Sequence, residues 1–345
     1  MLMIWFERKV VSDMQNRIGP NVAGPFGILQ TLADGIKAFF KEDLIPAKAD
    51  KFIFKLAPFL SIVPALVVFT VIPIGGNFSD PENPGGVADP HVGILVVLAM
   101  SSMAVYGITL AGWSSGSKYP LLGAVRGTAQ MVSYEAALGL ALIPVLMNSG
   151  SLSTTQIVSS QSTWSWNLWA TGVIPFVVFF IAVTAELNRP PFDLVEAEQE
   201  LVGGFHTEYS GIRFALFFLA EFMNVVTMSA VMVTLFLGGP SGPALMPTVY
   251  FMVKLLAFLF TFVWMRGSLP RLRYDQLMDL GWKVLIPLSL GWVVVLISVG
   301  IAENEGWNRF VAGGVALLGT FAGAMLLMTS IRVSKERRSN EEVLV

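Results

Sequence analysis

The chain has 345 residues, 54% hydrophobic and only 13% charged, against roughly 25% charged in ordinary soluble domains, and this balance argues against a soluble globular protein. It contains no cysteine, and His91 and His206 are its only histidines. That excludes a thiolate-ligated iron–sulfur cluster and leaves too few ligands for a multi-histidine zinc or haem site.

The opening MLMIWF is an apolar stub, about 9 Å long as a helix, that runs into charges without a small-residue cleavage site, so it is not read as a cleavable signal peptide. A polar segment, 7–51, follows. Within it FGILQTLADGIKAFFKED repeats Ile28, Leu29, Leu32, Ile36, Phe39 and Phe40 at three- and four-residue spacing, with Thr31, Asp34, Lys37 and Lys41 on the other face. This predicts an amphipathic helix lying along the membrane interface or against a protein partner, started by Gly24, Pro25 and Gly27.

Runs of about twenty apolar residues, each able to cross a hydrocarbon core of roughly 30 Å, predict eight full spans at 52–73, 92–113, 127–147, 168–186, 213–237, 248–265, 284–302 and 310–331. The net charge of −2 carries little weight in such a chain, where the position of positive charges is informative. Arg8, Lys9, Arg17, Lys37, Lys41, Lys48, Lys51 and Lys55 precede or edge the first span, and alternate later connections hold Lys118, Arg126, Arg189, Arg213, Arg266, Arg271, Arg273 and Lys283. The tail, 332–345, adds Arg332, Lys335, Arg337 and Arg338, while the opposite side holds only Arg309. By the positive-inside rule the rich connections, and both ends of this chain, are cytoplasmic. The connections from Gly75, Asn148 and Gly238 on the other side are Gly-, Pro-, Asn- and Ser-rich turn sequences.

Glu135, Glu221 and Lys254 sit inside apolar spans and Glu186 ends another. Such groups are costly in lipid and normally face a hydrated cavity or a partner, so they mark a candidate conduction path. Lys254, near the outer face, is also explained by snorkelling.

The segment 187–212 is the most acidic. Pro190-Pro191 stops the preceding span, and Asp193 with Glu196 has the spacing of a capping box. Glu196 and Glu200 then share one helical face, where a proton or cation must separate them, and clustering together with burial favours proton uptake. Gly203, Gly204, Phe205 and Tyr209 suit either a slot for a flat apolar ring or plain packing. His206 reads more readily as a packing residue than as a relay. The third polar segment, 266–283, is basic with interspersed aspartates.

Four motifs, ERKVVSDMQNRIGPN from Glu7, GPFGILQTLADGIKAFFKED from Gly24, ELNRPPFDLVEAEQELVGGFHTEYSG from Glu186 and PRLRYDQLMDLGWK from Pro270, resemble the membrane subunit of respiratory complex I that forms the H-subunit family of NADH-quinone oxidoreductase, called NADH dehydrogenase subunit 1 in mitochondria. The likeness runs in order from Glu7 to about Ile301. The last span and basic tail resemble the longer bacterial members. The family begins with a complete transmembrane helix, so the resemblance makes MLMIWF the stub of a ninth.

The fold it implies is an all-α polytopic membrane protein, a single integral membrane domain over 1–345, in the bacterial inner membrane. It implies a proton-translocating NADH:quinone oxidoreductase to which this chain brings no redox centre. Quinone, either ubiquinone or menaquinone, is the substrate, with FMN and iron–sulfur clusters on partner subunits. The implied partners are the peripheral-arm quinone-site and iron–sulfur subunits, neighbouring small membrane subunits and lipid, with no nucleic acid and no metal site. Carried onto this sequence, the quinone chamber takes Arg8, Arg17, Asp34, Lys37, Arg189, Asp193, Phe205, Glu208, Arg271, Arg273 and Asp275. The proton path takes Glu135, Glu186, Glu196, Glu198, Glu200 and Glu221. A membrane subunit of energy-converting hydrogenases, a stand-alone carrier and a purely structural anchor are the competing readings. The first of these should weaken over RIGPN and GFHTEYSG, and both are intact.

Overall fold

A computed structural model describes residues 2–75, 86–161, 165–195, 202–241, 246–308, 310–325 and 329. Glu196, Glu198 and Glu200, with the proposed capping box, and the tail 332–345 lie outside them. Among the described residues the regular secondary structure is helical, without a strand. In chain order the helices are α1 (Leu2–Met14), α2 (Gln30–Phe40), α3 (Lys51–Thr70), α4 (Gly93–Ser114), α5 (Lys118–Ser149), α6 (Thr154–Ser159), α7 (Asn167–Ala170), α8 (Val173–Glu186), α9 (Gly211–Phe236), α10 (Pro247–Ser268), α11 (Tyr274–Asn304) and α12 (Phe310–Met325). Of these, α3, α4, α5, α9, α10 and α11 are long and apolar enough to cross a membrane.

The structure departs from the expected eight full spans at two places. The span expected at 168–186 is divided at Gly172, whose φ of 82° interrupts the helix. A Cβ there would stand 2.6 Å from the Trp292 ring, and the Trp292 indole donates to the Thr171 carbonyl at 2.8 Å. What remains, α8, has 14 residues and is about 21 Å long. The last apolar helix is described only as far as Met325. At the other end of the chain, α1 continues through Glu7 into the segment expected as a loop. It stops just before Asn16, whose φ of 52° is the left-handed conformation that ends helices.

Asp50 starts α3 by accepting from the Phe52 and Ile53 amides at 3.1 and 3.3 Å, the usual role of an aspartate at a helix N-cap. Two apolar clusters hold the bundle. The larger joins α5, α8, α9 and α10 through Tyr134, Phe179, Phe236 and Phe251, and the smaller joins α3, α4 and the loop before α9 through Phe54, Ile108, Phe205 and Tyr209.

The connections collect at two ends. At one, the basic end, Asp50 N donates to Ser114 O at 3.0 Å, Arg213 pairs with Asp43 at 2.7 Å and Leu272 N donates to Pro191 O at 2.9 Å. These contacts gather the three polar segments. At the opposite end Thr154 donates to Val71 O at 2.8 Å and Asn167 to Leu235 O at 2.8 Å. There the Lys254 ammonium donates to the carbonyls of Leu237, Gly239 and Ser241 at 2.6, 2.9 and 3.2 Å, a cation on the carbonyl end of α9 where the helix dipole favours it.

Candidate functional site

The site starts from a short helix. Because α8 ends at Glu186, the chain from Leu187 onward is irregular while still enclosed, with Leu187, Arg189, Phe192, Leu194 and Val195 buried. Irregular backbone inside a membrane protein persists only where protein groups satisfy it. Gln130 of α5, fully buried, donates to Ala185 O at 2.7 Å and to Phe192 O at 2.9 Å. Close packing seals the same loop, since a Cβ on Gly123 of α5 would lie 2.9 Å from the Cα of Gly204.

Three carboxylates stand at similar distances along their helices. At 1.5 Å per residue, Glu135, Glu186 and Glu221 stand about 21, 20 and 22 Å from the opposite-end termini of α5, α8 and α9. Adjacent residues of α4 hold two of them: Ser101 Oγ donates to Glu186 and Ser102 Oγ to Glu135. The third, Glu221, pairs with Arg189 at 3.0 Å.

Arg189 is 4% exposed and links two spaces. Its Nη1 donates to both oxygens of Glu7, at 2.9 and 3.1 Å, and Arg266 donates to the same carboxylate. On the Glu221 side is a cavity of about 60 Å³, lined among others by Glu186, Asn224, Phe205, His206 and Phe218, large enough for water. A smaller cavity of about 30 Å³ shares Glu186 and Asn224 with it and reaches Ser101. On the Glu7 side is an open groove of about 530 Å³, lined by Arg8, Arg17, Arg266, Phe218 and Phe222 among others. That volume is in the range of small-molecule sites. Phe218 is a wall of both spaces, and the Arg189 guanidinium lies 4.7 Å from the Phe222 ring centre.

The aromatic loop packs rather than lying open. Tyr209 stacks on Phe54 at 3.9 Å between centroids and donates to the Phe54 carbonyl at 3.1 Å, and burial pushes its hydroxyl up to about 12. Phe205 meets the Phe217 ring edge-on at 5.2 Å. His206 lies between Phe205 and Phe214, and desolvation there lowers its imidazole to about 4, so it is neutral at physiological pH. On α2, Asp34 pairs with Arg8 at 2.6 Å. Burial alone would raise that carboxyl, but the hydrogen bonds from Arg8 and Gln30 outweigh it and hold it below its usual value.

The residues singled out by sequence therefore divide. Arg8, Arg17, Arg189, Phe205, Glu186 and Glu221 line the groove, the cavity or the link between them, and Glu135 joins through Ser102. Asp193 pairs with Arg271 at 2.9 Å beside the buried loop. Lys37, Arg273 and Asp275 are exposed, the last two paired with each other at 3.2 Å, and Glu208 is half-buried. Sequence reasoning did not single out Glu7, Ser101, Ser102, Gln130 or Asn224 as site residues, and it used Arg266 only for topology. A polar residue within an apolar run was the available signal for Gln130, Asn224 and the serines. No cluster of metal-ligating side chains occurs among the described residues.

The family model described as NADH dehydrogenase matches residues 1–297. The H subunit of NADH-quinone oxidoreductase in Frankia alni is 50% identical over 99% of this chain and 78% of its own length. The H 2 subunit in Geobacter sulfurreducens is 52% identical over 86% of this chain and 92% of its own. The H subunit in Streptomyces avermitilis is 47% identical over 92% and 74%.

Proposed function

The chain belongs to the NADH dehydrogenase family of NADH-quinone oxidoreductase H subunits, and from that premise we propose that it forms one wall of the site where quinone is reduced and passes the resulting charge change into an acidic row. The carrying observation is Arg189, whose guanidinium reaches Glu7 on the groove and Glu221 on the cavity. Electrons come from flavin and iron–sulfur centres on partner subunits. Quinone takes two electrons and two protons to become quinol, and its head group occupies the groove. The guanidiniums of Arg8, Arg17 and Arg266 hold the negative charge that develops on its oxygens.

Negative charge arriving beside Glu7 draws Arg189 toward the groove and weakens its pairing with Glu221. That carboxylate then takes up, across the water-sized cavity, the proton that Glu186 gives up, and Glu135 in turn gives its proton to Glu186. Proton translocation through partner membrane subunits continues from that end. The acids of 187–212, among them Asp193, Glu196, Glu198, Glu200 and Glu208, supply protons at the cytoplasmic mouth, and Asp34, Lys37, Arg271, Arg273 and Asp275 flank the chamber where the peripheral arm docks. In this reading 7–51, 187–212, 266–283 and 332–345 are cytoplasmic, and α8 and the last helix complete the eight spans.

The test is Glu135→Gln and Glu186→Gln in the assembled complex. NADH oxidation by an artificial acceptor should be unchanged, while NADH–quinone turnover and proton movement fall roughly a hundredfold, the low end for loss of a proton-transfer group. Parental quinone turnover and pumping in both variants would refute the reading.

A further inference from the structure

Ser101 and Ser102 stand in the middle of α4, on Cα atoms about 3.8 Å apart, and donate to carboxylates carried on two other helices, Glu186 on α8 and Glu135 on α5. Ser102 has a second acceptor, the Leu98 carbonyl one turn earlier, at 3.1 Å. A hydroxyl differs from a guanidinium in that it both donates and accepts. Toward an ionised carboxylate it donates. Toward a protonated one it accepts, and the Ser102 hydrogen then turns to Leu98 O, so that hydroxyl is met in either state.

We infer that Ser101 and Ser102 are positioning residues that keep Glu186 and Glu135 equally accommodated with and without a proton, and so permit a proton to leave one and arrive at the other. The inference rests on the proton-path reading above. In the transfer the Glu135 O–H bond breaks and a Glu186 O–H bond forms, one carboxyl becoming an anion as the other becomes neutral. Each serine reverses its hydrogen bond in step and ends unchanged. Packing does not account for the pair, since the close approach of α3 to α4 is at Gly107, where a Cβ would stand 2.2 Å from Ser61 Oγ.

The experiment uses the whole complex carrying Ser101→Ala with Ser102→Ala, beside the single Ser→Thr variants and the glutamine variants of Glu135 and Glu186. The double alanine variant should assemble and oxidise NADH with an artificial acceptor at the parental rate. Its quinone turnover should fall roughly tenfold, the equivalent of one lost hydrogen bond to a charged group, with a larger solvent deuterium isotope effect and a shifted pH profile. Threonine, which keeps the hydroxyl, should restore all three. Parental turnover, isotope effect and pH profile in the alanine variant overturn the inference, as does a threonine variant that assembles but behaves like alanine. If the glutamine variants fail while the alanine variant does not, the path stands and the serine role falls. If the glutamine variants also run at the parental rate, both fall together.

Discussion

Two sets of carboxylates share one bundle and differ in what faces them. Glu7 is gripped by the guanidiniums of Arg189 and Arg266, whereas Glu135 and Glu186 face serine hydroxyls. A guanidinium is permanently charged and only donates, so it stabilises the anion and opposes its protonation. A hydroxyl has no such preference. Glu221 lies between the two kinds, with Arg189 at 3.0 Å and the shared cavity on its other side. The bundle is thus held by ion pairs at one edge and by serine hydroxyls at the other.

The largest effect should come from breaking the anchored edge. Arg189→Met leaves buried Glu7 and half-buried Glu221 without their shared cation, a loss of about 3–5 kcal/mol for removing one partner of a buried pair. The expected outcome is little assembled complex on a native gel, in contrast to the serine and glutamine variants. If Arg189→Met assembles normally, the distinction between anchoring and exchanging carboxylates is wrong.

A smaller effect separates two glycines of the same helix. Gly123→Ala pushes a methyl group against the Gly204 backbone and Phe205 N at 2.9 to 3.0 Å, and backbone cannot swing aside. Overpacking of this kind costs about 1–3 kcal/mol, read as a lower thermal midpoint and a leakier cavity wall. Gly139→Ala meets nothing within 4 Å and gains helix propensity of up to about 1 kcal/mol, so its midpoint should hold or rise.

The smallest effect concerns pH. His206 has a folded pKa lowered to about 4 from 6.5, so the unfolded chain binds the proton more readily. Its contribution to stability is complete above 6.5 and is lost as pH falls toward 4. His206→Gln should therefore flatten part of the acid-side decline in thermal midpoint and leave the pH profile of quinone turnover between 6.5 and 8 unchanged. A shift of that profile would instead make His206 a relay.

The long apolar runs made α3, α4, α5, α9, α10 and α11 legible, because about twenty consecutive apolar residues have few other fates. The break at Gly172 was not legible, since it depends on a tryptophan 120 positions later filling the space beside it. Nor was the burial of Glu7, whose partners lie 182 and 259 residues away. Intramembrane glutamates stood out by their cost, but the serines that hold two of them did not, because serine within a helix usually satisfies itself on its own backbone. Phe205 and Tyr209 were equally readable as slot or packing, and the Phe54 ring that stacks on Tyr209 comes from a helix 155 positions earlier.

The similar positions of Glu135, Glu186 and Glu221 along their helices carry an electrical consequence for the proposed path. Moving one elementary charge through the full membrane potential involves about 2.3 kcal/mol per 100 mV, but displacement along a row parallel to the bilayer crosses almost none of that field. On the proposed proton path, steps within this chain would run at nearly the same free energy in energised and collapsed membranes, and the work against voltage would fall to whatever carries the proton perpendicular to the row.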